Sequence, residues 1–230
     1  MIKLNFLLTT VDKMPRITIE YDDSTQLKLP DSTEELELIT GSDLRSAIFP
    51  RNLKKLIIRG KFDSDLKFIN FPPGLTHLTL GEEFNQPIKD VGLPDSLTHL
   101  TFMFKFNKDI RNANLPNSLT QLTLGWFFNQ DIKDANLPTN LTHLDLGFKF
   151  NKDIRNANLP NSLQHLDLGW KFNQQIKDAN LPNSLQHLCL GVDFNKSLDN
   201  VNLPTSLKTI TMSLNYKQKI PDDLIKLVKF

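Results

Sequence analysis

The sequence predicts a curved solenoid of stacked coils, with a parallel β-sheet along its concave face. Three observations predict it. Prolines at 50, 72, 94, 116, 138, 160, 182 and 204 are each 22 residues apart. Between them, apolar residues return at fixed offsets. Two of those offsets alternate with polar ones, which is strand periodicity. One coil of this length cannot bury its own apolar face, so it must stack on its neighbours.

With each Pro as offset zero, offset 3 is always Leu, from Leu53 to Leu207. Offset 6 is Leu or Ile, from Leu56 to Ile210. Offset 8 is Ile58, Leu80, Phe102, Leu124, Leu146, Leu168, Leu190 and Met212. Leu at 3, 6 and 8 is the L-x-x-L-x-L of a leucine-rich repeat, so the fold class is a leucine-rich-repeat solenoid. Offset 12 is Phe from Phe62 to Phe194 and Tyr216 in the last coil; offset 16 is Leu or Ile from Leu66 to Ile220. A coil this short leaves no room for a long helix, so the convex arm is expected to be extended or a short 3₁₀ turn.

The recurring polar residues read as scaffold too. Offset 13 is Asn from Asn85 to Asn195. An inward Asn can bond its stacked copies and close main-chain groups that burial would leave unpaired. Offset 20 is Asn or Gly, residues that tolerate a left-handed turn before the next Leu-Pro. Offset 9 is mostly Gly, which ends the strand. Offset 15 carries Asp65, Asp109, Asp131 and Asp153, and offset 17 carries Lys67, Arg111, Lys133 and Arg155. Residues two apart share a face of an extended arm, so these columns largely cancel.

The array spans 30–220, opening with a degenerate coil from Pro30 to Phe49. Residues 1–29 are expected to cap it, with ITIEY and QLKLP as strands joined by a turn at Asp22-Asp23-Ser24. Residues 221–230 are expected to form the other cap. There Pro221 and two Asp mark a helix start, with Leu224 and Leu227 on one face.

Composition narrows the function classes. Apolar residues make up 39% and charged residues 23%, as in a folded domain. A net charge of +1 favours neither nucleic acid nor an anionic membrane as partner. One cysteine, Cys189, permits no internal disulfide and fits a reducing compartment. The apolar run Phe6–Leu8 is too short for a signal-peptide core, and no stretch approaches ~20 apolar residues. A cytoplasmic location is expected.

What the scaffold leaves over lies at offsets 5, 7 and 10. All five histidines are at offset 5: His77, His99, His143, His165 and His187, with Gln121 interrupting. Offset 7 carries Thr79, Thr101, Thr123, Asp145, Asp167 and Cys189. Offset 10 carries Phe104, Trp126, Phe148, Trp170 and Val192, including both tryptophans. The His column admits metal binding, group titration with Asp145 and Asp167 offsetting the repulsion, or simple copying with the repeat. A flat ladder diverges where a metal needs converging ligands. Cys189 with His187 is the one nucleophile–base pair, and no third group orients that His. The aromatic column reads either as a binding strip, since Trp is enriched at hot spots, or as rings folded over coil edges. Ice binding needs a gap-free Thr array, but Thr142 gives way to Gln164 and Gln186 at offset 4. Calcium-binding G-G-x-G-x-D runs are absent.

The pattern L-P-x-S-L-x-x-L-x-L-G-x-x-F-N-x-x-I resembles the FNIP repeat, a 22-residue leucine-rich-repeat variant. The FN of that name is Phe84-Asn85 and its copies through Phe194-Asn195. The resemblance covers about residues 50–220. It implies a source among social amoebae or giant DNA viruses, a host-cytoplasmic site if viral, and a protein-interaction role. Some such proteins carry an F-box and look like ubiquitin-ligase substrate receptors; residues 1–29 contain no evident F-box. The reading is a non-enzymatic module, without cofactor or metal, that binds an unknown protein through its concave face. The surface comprises His77, His99, Gln121, His143, His165, His187, Thr101, Thr123, Asp145, Asp167, Phe104, Trp126, Phe148 and Trp170. Neither nucleic acid nor membrane is an expected partner, and self-association would seal the strip. The alternative is a substrate-recognition subunit in ubiquitylation.

Overall fold

The computed structural model describes residues 5–6, 16–22 and 27–230, the first pair as backbone only. Its described strands form one 12-stranded sheet in sequence order. They are β1 (Asn5–Phe6), β2 (Ile17–Glu20), β3 (Glu35–Ile39), β4 (Lys55–Arg59), β5 (His77–Leu80) and β6 (His99–Phe102). There follow β7 (Gln121–Thr123), β8 (His143–Asp145), β9 (His165–Asp167), β10 (His187–Cys189), β11 (Thr209–Thr211) and β12 (Val228–Lys229). From β2 to β12 every pair is parallel; β1 runs antiparallel to β2. Equivalent offsets pair directly, as in His143↔His165, Leu144↔Leu166 and Asp145↔Asp167. Register follows from the repeat, because a one-residue slip would turn the Leu set to solvent.

The apolar columns fill a continuous core. Leu and Ile at offsets 3, 6 and 8 are buried in coil after coil, and so are the offset-16 residues through Leu198. Behind the sheet, Phe62 through Phe194 form a buried spine that ends on Tyr216. Consecutive spine rings lie 6.0–6.2 Å apart and nearly parallel. On the opposite face of the sheet, stacked imidazoles are only 4.0–4.4 Å apart. Coils closer on one face than in the interior are wedges. Their stack therefore curves with the His-bearing face inside.

Beside the spine runs the Asn ladder. Asn129 N–H donates to Asn107 Oδ1 (2.9 Å), Asn151 N–H to Asn129 (3.0 Å) and Asn173 N–H to Asn151 (2.9 Å). Asp63 starts it by accepting from Asn85 N–H (2.7 Å). At offset 20, Asn114, Asn136, Asn158 and Asn180 take φ of 46–48°, the left-handed turn expected there. The convex arms are turns, with one 3₁₀ helix among the described residues, Leu66–Phe68. Arg111 and Arg155 fork onto Asp109 and Asp153 two residues back, and each Asp also accepts its Arg main-chain N–H.

Two expectations change. The C-terminal segment is not a helix. Leu224 N–H bonds Pro221 O and Leu227 N–H bonds Leu224 O, and the chain then enters β12 beside β11. Buried Leu224 uses that single turn to close the core, leaving no length for a helix. Of the two N-terminal runs, ITIE is strand β2, whereas residues 27–30 are irregular, with Leu27 buried. Residues 23–24 of the expected turn lie outside the described residues. No described helix is long and apolar enough to cross a membrane.

Each Asn in the ladder satisfies a main-chain N–H of the next coil. Asn129→Ala is expected to leave the Asn151 N–H unpaired and to cost about 1–3 kcal/mol in urea unfolding. Asn129→Asp keeps the acceptor, as Asp63 does for Asn85, and is expected to cost clearly less.

Candidate concave binding surface

The strand pleat turns offsets 6 and 8 inward and leaves 5 and 7 half-buried on the concave face. There the histidines stack face to face: His77 on His99 (4.0 Å), His143 on His165 (4.1 Å) and His165 on His187 (4.4 Å). Gln121 stands between His99 and His143. The preceding Thr fixes the ring. Thr142 Oγ1 donates its proton to Thr120 O (3.0 Å), so it accepts from His143 Nδ1–H (2.9 Å). Thr76 and Thr98 do the same for His77 and His99. In these three residues Nδ1 carries the proton, and Nε2 keeps its lone pair. His187 Nδ1 meets Thr209 Oγ1 instead (2.7 Å).

The next column is acidic. Asp145, Asp167 and Cys189 are register partners on β8, β9 and β10. Asp145 Oδ1 accepts from Gly147 N–H and Asp167 Oδ1 from Gly169 N–H, each at 2.8 Å. Burial pushes the Asp145 carboxyl up, the neighbouring Asp167 adds to it, and the Gly147 N–H pulls the other way. The expected pairing of these carboxylates with the histidines does not form. The Asp side chains turn back on their own glycines, and neither has an ion-pair partner among the described residues. Burial and Asp167 raise the Cys189 thiol to about 11. At neutral pH it is protonated, the wrong state for a nucleophile.

The aromatic ladder depends on glycine. Gly169 has φ +82°, and a Cβ on it would lie 1.8 Å from Gly147 O, so no other residue fits. Gly147 and Gly191 repeat this geometry, and it lets successive backbones close up beneath the rings that follow. Phe104 stacks on Trp126 (5.7 Å), Trp126 on Phe148 (4.1 Å) and Phe148 on Trp170 (5.5 Å). Trp126 is still 43% exposed and Trp170 48%. The rings pack on each other along the coil edges and still present their outer sides to solvent. Phe127 is a further exposed ring that the columns at offsets 5, 7 and 10 do not include. Its signal was an apolar residue in an offset-11 column that otherwise holds Lys61, Glu83, Lys105, Lys149, Lys171 and Asp193.

The three columns line two adjoining grooves. A cavity of about 340 Å³ is bounded by Gln121, His143, His165 and His187 on one side and Thr123, Asp145, Asp167 and Cys189 on the other. A second, of about 470 Å³, runs from that same middle column to Phe104, Trp126, Phe148 and Trp170, with Thr101 at its end. Of the predicted surface residues, His77 and His99 lie outside both grooves, further along the ladder. Parallel imidazoles do not converge on a point, and no group of three metal-ligating side chains occurs among the described residues.

The FNIP Repeat family model matches residues 42–83, 84–127, 128–171 and 172–215. Among solved structures, the chain is similar to CroV588 of a giant virus, described as a novel circular leucine-rich-repeat protein. The identity is 40% and the TM-score 0.79, over 87% of this chain and 30% of that one. The chain thus spans under a third of CroV588. It also shares its fold with an internalin (inlF) from Listeria monocytogenes, at 18% identity and TM-score 0.51, over 87% of this chain and 68% of that one. No curated protein matches.

The His ladder makes stability depend on pH. Burial first, then neighbouring imidazoles, hold His99 and His165 below their ordinary 6.5. Just below pH 6.5 the unfolded chain therefore binds more protons than the folded one. This contribution is full above 6.5 and is lost as pH falls through the lowered values. Asp145, raised above its ordinary 3.8, acts in the opposite sense at lower pH. The melting temperature is expected to drop between pH 7.5 and 5.5. His99→Gln/His165→Gln, which copies Gln121, is expected to flatten that slope in thermal scans.

Proposed function

This chain belongs to the FNIP repeat family, and we propose that it is a non-enzymatic scaffold that binds another protein across its concave face. The observation that carries this reading is the exposed Trp126–Phe148–Trp170 stack. Large aromatic rings half in water, beside a groove with a polar far wall, are the usual composition of an interaction hot spot. Among the described residues no element covers these rings. The inner columns account for the core without them.

Variation among coils supports the same assignment. Offset 10 runs from Gly60 and Glu82 to Phe104, Trp126, Phe148, Trp170 and Val192, whereas offset 3 is Leu in every coil. A column that varies on a fixed frame is where a repeat protein acquires specificity. A protonated Cys189 and histidines without an orienting carboxylate supply no nucleophile, consistent with binding rather than turnover. The ubiquitylation alternative draws no support from the family match or from the solved neighbours. The site of action in this reading is the cytoplasm, of a host cell if the source is viral.

Wild-type protein and Trp126→Ala/Trp170→Ala, shown by circular dichroism to fold alike, are to be compared as baits in lysate of the source or host cell. A protein retained by wild type and reduced at least tenfold on the double variant is the expected outcome. Equal capture by both baits would remove the aromatic strip from the binding surface.

A further inference from the structure

We infer that the partner's contact in the aromatic groove is an arginine side chain, its guanidinium over Asp145 and Asp167 and its stem along Trp126, Phe148 and Trp170. This rests on the concave-face reading and adds the chemistry of what enters. The groove is apolar along the ring wall and rich in acceptors along its floor. Each Asp spends one oxygen on a glycine N–H, Asp167 also meets the Cys189 thiol, and neither has a cation beside it among the described ion pairs. In the adjoining groove, His143 has committed its Nδ1–H to Thr142 and has only the Nε2 lone pair left. A surface of carboxylates, a bare ring nitrogen and aromatic π systems asks for a ligand that donates and carries positive charge.

Arginine fits this demand better than lysine. Its guanidinium has five donors and no acceptor, in a flat fork. As register partners, Asp145 and Asp167 are set about 4.8 Å apart by the strand spacing, a span that one fork can bridge with paired bonds. A flat cation with an apolar stem also packs on aromatic rings. An acidic segment would meet two carboxylates at the floor. Two cations beside the ring wall, Lys149 and Lys171, sit past the rings at offset 11. Both lie about 6 Å from the Phe148 ring centre, and Lys171 is already paired with Asp193 (2.9 Å). At the other end of the sheet, Glu37 is bridged by Arg16 and Arg59. There the concave face supplies its own arginines, and at Asp145 and Asp167 it does not.

The probe is a fluorescein-labelled tetra-arginine peptide, followed by anisotropy at pH 7.5 and low salt beside tetra-lysine, tetra-citrulline and tetra-glutamate. The proteins are wild type, Asp145→Asn/Asp167→Asn and Asp109→Asn/Asp153→Asn. The last removes the same charge from the convex face. Asn keeps the acceptor for the glycine N–H groups, and the citrulline comparison uses unaltered protein, so the test does not hang on one variant folding. Tetra-arginine is expected to bind wild type and the convex variant alike, at least tenfold tighter than citrulline. It should weaken at least tenfold on the concave variant. Equal affinity for all three proteins, equal loss on both variants, or preference for tetra-glutamate would overturn the inference. A partner lost by the Trp variant but held by the concave Asp variant would overturn the arginine contact and leave the concave-face reading standing. A partner held by the Trp variant would remove that reading itself.

Discussion

The spacing between coils is the constraint on which the rest of this molecule depends. Every ladder, apolar or polar, is the same contact made again one coil further on. The Phe spine holds coils 6.0–6.2 Å apart in the interior, and the imidazoles close to 4.0–4.4 Å on the sheet face. That difference sets the curvature. Curvature in turn brings the offset-5, offset-7 and offset-10 columns of successive coils into one hollow. Main-chain groups are closed by the same repetition, through the strand ladder on one side and the Asn ladder on the other. No coil is stable by itself; each lends its neighbour both apolar cover and hydrogen-bond partners.

Most of this architecture was legible in the sequence, because a fixed period turns one coil into a template for all. The Leu columns of the strand could be placed inward from alternation, the Phe column from its apolar recurrence and the Asn column from the main-chain groups it can close. The Asp–Arg pairs could be placed on one convex arm from their spacing of two. The ends were less legible. Pro221, Asp222 and Asp223 carry the local signal of a helix start, but β11 presents a strand edge within reach of Val228–Lys229. Pairing Val228–Lys229 with that edge satisfies more main-chain groups than another helical turn. Local signals mislead where the segment departs from the 22-residue template.

The candidate surface was legible in its members and not in its chemistry. The columns gave His143, Asp145 and Trp126 as outward neighbours. They could not say that Thr142 would consume the Nδ1–H of His143, or that Asp145 would turn to Gly147 instead of the imidazole. Both depend on rotamers that the repeat period does not encode. Phe127 was lost for the opposite reason: attention to regular columns hides a single residue that departs from one. The grooves emerge from these local choices, with the His ladder on one wall, carboxylates bonded to their own glycine N–H groups on the floor and stacked rings on the other wall.

The central claim is a division of labour between inner columns that hold the solenoid together and concave columns that are free to bind. Urea unfolding of Phe150→Ala beside Trp170→Ala tests it most directly, since both remove a stacked aromatic ring from adjacent coils. Phe150 is fully buried, and its removal should cost about 3–5 kcal/mol. Trp170 is nearly half exposed, and its removal should cost about 1 kcal/mol, the scale of one stacking contact. Equal losses would contradict the account, because the tryptophan would then belong to the scaffold.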